Sequence, residues 1–274
     1  MLIDFHTHIF PTAVAPHALS ALVAGAKKAR NEDILPFADG TRDGLLRLMD
    51  EAGVDISVTL PIATKPSQTE SINKFSLSVK CDRIEPFGAI HPQNKNYKEI
   101  LSLLKAQGFK GIKLHPEFQD FYIDSDEAIA ILKQAESLGL YTVIHSGADV
   151  GFPPPVHCTP ERLLRVLKHI SGERLILAHM GGFELWEEVD RLLASTSVYY
   201  DLAVVAAYLE PTLCERLIEN HGADLVLFAS DSPWETPKKT LAFLEALRLT
   251  DEEKEKIKYR NAEKILGFGE NCQK

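Results

Sequence analysis

Short apolar runs alternate with amphipathic stretches along the chain. Runs rich in Ile, Val and Leu at residues 2–8, 56–61, 84–91, 111–115, 141–145, 175–179, 198–201 and 225–231 predict strands. After a longer first interval they return roughly every 25–35 residues, the spacing of successive βα units. Helices are predicted between them. Thr159-Pro160 and Thr236-Pro237 each set a hydroxyl N-cap before a proline at the first helical position. Leu163, Val166, Leu167 and Ile170 form an apolar stripe in the first of these helices, and Leu241, Leu244 and Leu247 in the second. Thr250 to Glu253 reads as a capping box opening a charged last helix with Ile257 and Ile265 inward. Residues 43–52 and 97–106 are further helices.

Eight strands alternating with helices predict an α/β fold, a TIM (β/α)8 barrel, in a single domain spanning 1–274. The rival is an open doubly wound sheet, but His8 is followed by Ile9-Phe10-Pro11-Thr12 and not by a glycine-rich phosphate turn. The segment at about 10–42 is longer than an ordinary βα loop. It is expected to hold an extra helix near 15–29 that covers the barrel mouth.

Composition narrows the function classes. A net charge of −9 with no Lys/Arg block gives no phosphate-tracking surface, which argues against nucleic acid. No apolar run approaches a membrane span. Cys81, Cys158, Cys214 and Cys272 show no C-x-x-C spacing, so a disulfide framework is not expected. With no secretory leader visible, the expected home is the cytoplasm, and a homodimer is a fair default.

The chemistry lies in where the polar residues fall. His6, His8, His115, His145, His179 and Asp231 all sit at the C-terminal ends of predicted strands. In a barrel those ends converge on one face. His6 and His8 are two apart on one strand, so both imidazoles leave the same side and can grip one cation. A lone strand-end histidine is more often a hydrogen-bonded structural group, and His-x-His alone is weak. Six such residues at five strand ends are hard to explain as core, which prefers Val, Ile and Leu. A metal site is therefore expected. A divalent cation lowers the pKa of water it holds to roughly 7, so hydroxide would be available at neutral pH. Weaker candidates are His157 and Cys158 in a proline-rich loop, His91, and Trp234 as a pocket wall. Asp4 reads as structural, Asp201 as a ligand's partner or a loop cap. His17, His169 and His221 are expected to be solvated.

The stretches IDFHTH (3–8), GIKLHPEFQDF (111–121), VIHSG (143–147), LILAHMGG (175–182), FASDSPW (228–234) and RNAEKILG (260–267) are, in this order, similar to the amidohydrolase superfamily. The chain most resembles the amidohydrolase-2 branch that includes aminocarboxymuconate-semialdehyde decarboxylase and small hydrolases. The resemblance implies a metal held by His6, His8, His145 and Asp231, with His179 and Asp231 catalytic. Lys113 or His115 would decide whether a second ion binds. His115, Trp234 and His157 are candidates for touching substrate. One zinc ion is favoured, with manganese, iron or cobalt also fitting. The implied reaction is hydrolysis of an amide, lactone or ester of a small molecule. The alternative is nonoxidative decarboxylation of a small aromatic or unsaturated acid, for which Arg42 and Lys65 are the nearest carboxylate clamps by sequence.

Overall fold

The computed structural model describes residues 1–268, so Cys272 lies outside the described residues. The strands are β1 (Ile3–Thr7), β2 (Ile56–Thr59), β3 (Ile84–Pro86), β4 (Gly88–Ala89), β5 (Gly111–Leu114), β6 (Tyr141–Ile144), β7 (Leu175–Leu177), β8 (Tyr199–Asp201) and β9 (Val226–Leu227). Between and after them run α1 (Ala15–Arg30), α2 (Arg42–Ala52), α3 (Thr69–Val79), α4 (Tyr97–Ala106), α5 (Asp126–Ser137), α6 (Pro160–Val166), α7 (Trp186–Leu193), α8 (Pro211–His221), α9 (Pro237–Ala246), α10 (Asp251–Glu255) and α11 (Asn261–Leu266).

All strand pairs are parallel, in the orders β1-β2-β3 and β4 through β9. β3 and β4 are the two halves of the predicted third strand. Its first half pairs with β2 and its second with β5, and the break falls at Phe87, just after Pro86, which has no N–H to give a ladder. The ring closes between the last strand and the first. Phe5 N–H donates to Phe228 O (2.9 Å), Asp231 N–H to His6 O (2.9 Å) and His8 N–H to Ser232 O (2.6 Å). A parallel bridge joins Thr7 to Ser232. The result is the eight-stranded TIM barrel expected from the strand spacing.

Alternation along the strands separates two buried clusters. Val143 and Ile176 pack with Phe5, Val58, Phe87 and Leu227. Their neighbours Ile144, Leu175 and Leu177 pack with helix residues such as Leu101, Ile131 and Leu163. A strand covered on both faces needs this period of two. The hydroxyl caps form as read: Thr159 accepts from Arg162 N–H, Thr236 from Lys239 N–H, and Thr250 exchanges bonds with Glu253. The last helix differs, because a π-helical turn at Lys256–Arg260 divides it into α10 and α11. His221 also departs from expectation. It is buried, stacked on Tyr200 at 3.8 Å, with its ring nitrogens on Ala194 O and Val198 O. Among the described residues no helix is long and apolar enough to cross a membrane.

Candidate metal centre and cavity

Backbone carbonyls and carboxylates set the protons on the strand-end histidines. His6 Nδ1–H donates to Asp201 Oδ2 (2.8 Å), and His8 Nδ1–H donates to Leu60 O (2.8 Å). Each Nε2 is then a bare lone pair. Those two lone pairs face each other at 3.2 Å, and Asp231 Oδ1 lies 3.3 Å from one and 3.2 Å from the other. Three acceptors this close repel unless a cation stands among them. Two nitrogens held at about 2.0–2.1 Å on a tetrahedral ion would themselves lie about 3.3 Å apart. The donor set therefore fits a divalent metal. Lys113 Nζ donates to His6 Nε2 at 3.2 Å, so an ammonium serves the lone pair here.

His145 and His179 repeat the pattern. His145 Nε2 donates to Ala148 O (3.0 Å) and His179 Nδ1 to Ala203 O (3.0 Å), which leaves His145 Nδ1 and His179 Nε2 facing each other at 3.0 Å. Burial, then His115 and His179, push His145 well below the usual imidazole range, so it stays neutral. Burial and then Lys113 do the same to His6. Burial opposes charge on Asp231, but the imidazoles of His6, His8 and His179 around it outweigh burial and hold the carboxyl at about 2. Lys113, buried among these groups, is brought down to about 8 by desolvation despite Asp201 and Asp231.

Asp201 ties the two pairs together. One carboxylate oxygen accepts His6 Nδ1–H, and the other accepts the backbone N–H of His179 (2.9 Å) and Ala203 (3.0 Å). Burial raises its pKa, and these donors favour the ionised form. His179, Met180 and Asp231 have φ of +60°, +53° and +70°, a region non-glycine residues seldom occupy. Such strain concentrates at functional sites. It is held in place by Asp201 through His179 N–H and Met180 N–H, and by His6 O through Asp231 N–H.

The second cluster is His115, His145 and Asp149. Phe118 N–H donates to His115 Nδ1 (3.4 Å), so His115 Nε2 carries its proton toward Asp149 Oδ2 (3.4 Å). His145 Nε2 lies 3.6 Å from the same oxygen, and the two rings stack at 4.1 Å. Burial opposes charge on Asp149, but the His115 hydrogen bond outweighs it and lowers the pKa. Both Nε2 atoms carry protons, that of His115 turned to Asp149 and that of His145 to Ala148 O, so neither offers a lone pair to a cation there. Sequence reasoning missed Asp149, whose only signal is an acid shortly after the strand-end His145.

A cavity of about 420 Å³ opens over both clusters and is lined by His6, His8, Lys113, His115, His145, His179, Asp231 and Trp234, among others. From the long segment after β1, Leu22 of α1 and Ile34, Leu35 and Phe37 beyond it reach the same cavity. His157 does not line it. Its ring lies 4.5 Å from that of Tyr122 and its Nδ1 donates to Pro116 O, so the sequence expectation for it is corrected. Cys158 is buried against Ser146. Arg42 lies against Cys81 and Asp43, and neither Arg42 nor Lys65 is a lining residue. His91 is buried outside the cavity, and Asp4 fastens Ser230 under the histidines (2.6 Å).

Comparison with known proteins places this arrangement. The solved structures it resembles include a Staphylococcus aureus protein described as an amidohydrolase without further assignment (21% identity, TM-score 0.69, 97% of this chain and 99% of that one). They also include 5-carboxyvanillate decarboxylase of Novosphingobium aromaticivorans with manganese and 4-hydroxy-3-methoxy-5-nitrobenzoic acid (16%, TM-score 0.72, 97% and 96%). A third is the IDCase of Metarhizium anisopliae (18%, TM-score 0.74, 97% of each). At these identities the likeness establishes the fold. No curated protein matches the sequence. The profile of the family described as Amidohydrolase matches residues 3–268, nearly the whole chain, and the protein belongs to that family.

Proposed function

We propose that the chain is a metal-dependent enzyme that removes carbon dioxide from a small carboxylic acid. The observation that carries this reading is Lys113. Two lysines line the cavity: Lys239 is paired with Glu235, whereas Lys113 has no carboxylate within ion-pair distance among the described residues and sits beside the lone pairs of the metal cluster. That ammonium is the cation that would meet a substrate carboxylate at the metal cluster. The decarboxylase names and bound manganese among the similar structures support the reading.

His6, His8 and Asp231 would hold the cation, with His145 Nδ1 and His179 Nε2 the next donors. Imidazole and carboxylate ligands suit zinc, and manganese is the first alternative. When bound, a divalent cation would supply positive charge that draws the substrate carboxylate to the cluster. Lys113 orients the carboxylate. The bond from carbon to the carboxylate breaks, its electron pair stays on carbon, and carbon dioxide leaves. Asp231, ionised at rest, takes a proton from a water molecule and passes it to that carbon, and the hydroxide left behind combines with the carbon dioxide as bicarbonate. The apolar cavity keeps bulk water from competing.

Hydrolysis of an amide, lactone or ester is the second reading, favoured by Asp231 standing where it could take a proton from water. One experiment separates the two. The zinc-, manganese- or cobalt-loaded protein is offered labelled aromatic and unsaturated monocarboxylic acids, and in parallel esters, lactones and amides. Release of carbon dioxide that Lys113→Met suppresses is expected. Turnover confined to the esters, lactones or amides would overturn the proposal.

A further inference from the structure

We infer that the cavity selects a substrate with one anionic head and an uncharged, apolar body, and that it rejects a second carboxylate. The inference rests on the proposed reading for which end of the substrate meets the metal. The body's selectivity comes from the walls. Phe10, Leu22, Ile34, Phe118, Phe183 and Trp234 surround the space beyond the metal cluster, and no arginine is among the lining residues. Aromatic and aliphatic walls of this kind recognise area and shape, and orient a ligand through few polar contacts.

The charges that do reach the walls are spoken for or acidic. Lys239, the cation away from the metal cluster, lies against Glu235, which is almost wholly buried. Arg30 and Lys27 are not lining residues, and each is paired: Arg30 with Glu184 (2.7 Å) and Glu32 (3.4 Å), Lys27 with Asp33 (2.8 Å). Asp33, Asp149 and Glu235 line the cavity as carboxylates. A dianionic ligand would therefore have to bury its far carboxylate beside like charge, with no free cation in reach. Removing a charge from water without a partner is strongly unfavourable. Rejection here is a built repulsion as well as a missing attraction.

The test is binding calorimetry on the manganese-loaded full chain with three acids of nearly the same outline: 4-isopropylbenzoate, 4-nitrobenzoate and benzene-1,4-dicarboxylate. The isopropyl and nitro groups copy the shape of the second carboxylate without its charge. Both monoanions are expected to bind at least about tenfold tighter than the dianion. In Glu235→Gln, which frees the Lys239 ammonium, that difference is expected to shrink several-fold. Equal or tighter binding of the dianion, an unchanged gap in Glu235→Gln, or no binding of either monoanion would overturn the inference. Because the readout is binding, its failure is separate from that of the proposed reaction. The expected order without carbon dioxide release would sink the decarboxylase reading alone, whereas decarboxylation with the dianion preferred would sink this inference alone.

Discussion

His6, His8 and Asp231 on one side of the mouth, and His115, His145 and Asp149 on the other, are each two imidazoles and a carboxylate with ligand atoms within 4.8 Å of one another. They differ in where the protons are. In the first cluster Asp201 and Leu60 O take the Nδ1 protons, so both Nε2 lone pairs converge. In the second, Phe118 N–H and Ala148 O dictate the reverse: both Nε2 atoms carry protons, that of His115 directed at Asp149 and that of His145 at Ala148 O. In the first, the Lys113 ammonium reaches the His6 lone pair, while His8 Nε2 and the Asp231 carboxylate stay open to a cation; in the second, neither Nε2 has a lone pair to offer. Residue type and spacing alone do not make a metal site. The hydrogen bond on the far nitrogen decides which face of each ring is a ligand.

The largest effect expected from this contrast is on metal content. His6→Ala should leave the dialysed protein essentially metal-free by elemental analysis, while His115→Ala keeps about one ion per chain. Equal loss in both variants would erase the distinction between the clusters. Next comes turnover. Asp231→Asn should retain most of the metal and lose about 10²–10⁴ in kcat, the range for a positioned acid or base, whereas Asp149→Asn should cost less than about tenfold. A larger loss in Asp149→Asn than in Asp231→Asn would move the proton-handling role to the second cluster.

Much of this was legible in the residues themselves. His6, His8, His145, His179 and Asp231 could be placed at the mouth because strand period and βα spacing are local signals that survive folding. The proton arrangement could not, since it depends on Leu60, Ala148 and Ala203 offering carbonyls, and a carbonyl has no residue-type signature. The same holds for Asp201, whose bond to His6 joins residues 195 apart in the chain. Asp149 and the apolar wall of Ile34, Leu35 and Phe37 come from loops without periodicity, so nothing in the sequence aimed them at the cavity. His221 was misread because its buried partners are again backbone carbonyls.

Asp201 offers a smaller and sharper probe of the first cluster. It never faces the metal position, yet it fixes the His6 tautomer and raises the basicity of Nε2. Asp201→Asn should weaken metal affinity by about 10–100-fold, read by competition with a chelator, with a matching loss of activity that excess metal restores. Unchanged affinity would mean that the His6 ring is set by packing alone.

The smallest effect concerns the second cluster's surroundings. Glu117 is buried, its Oε1 accepts His157 N–H, and its Oε2, 3.9 Å from His115 Nδ1, has no hydrogen-bond partner. Burial pushes its carboxyl up to about 7 from 4.5, with Asp149 adding to the rise. Between those values the folded state binds a proton that the unfolded chain has released, so stability must fall as pH rises through the window. At 1.36 kcal/mol per pKa unit the fall is at most about 3 kcal/mol, complete above the folded pKa and absent below the unfolded one. Glu117→Gln keeps the shape and cannot ionise. Denaturant melts at pH 5 and pH 8 should therefore show the variant gaining on the parent only at pH 8. An identical pH slope in both proteins would mean that Glu117 is ionised throughout, and that the second cluster holds one more negative charge than its geometry implies.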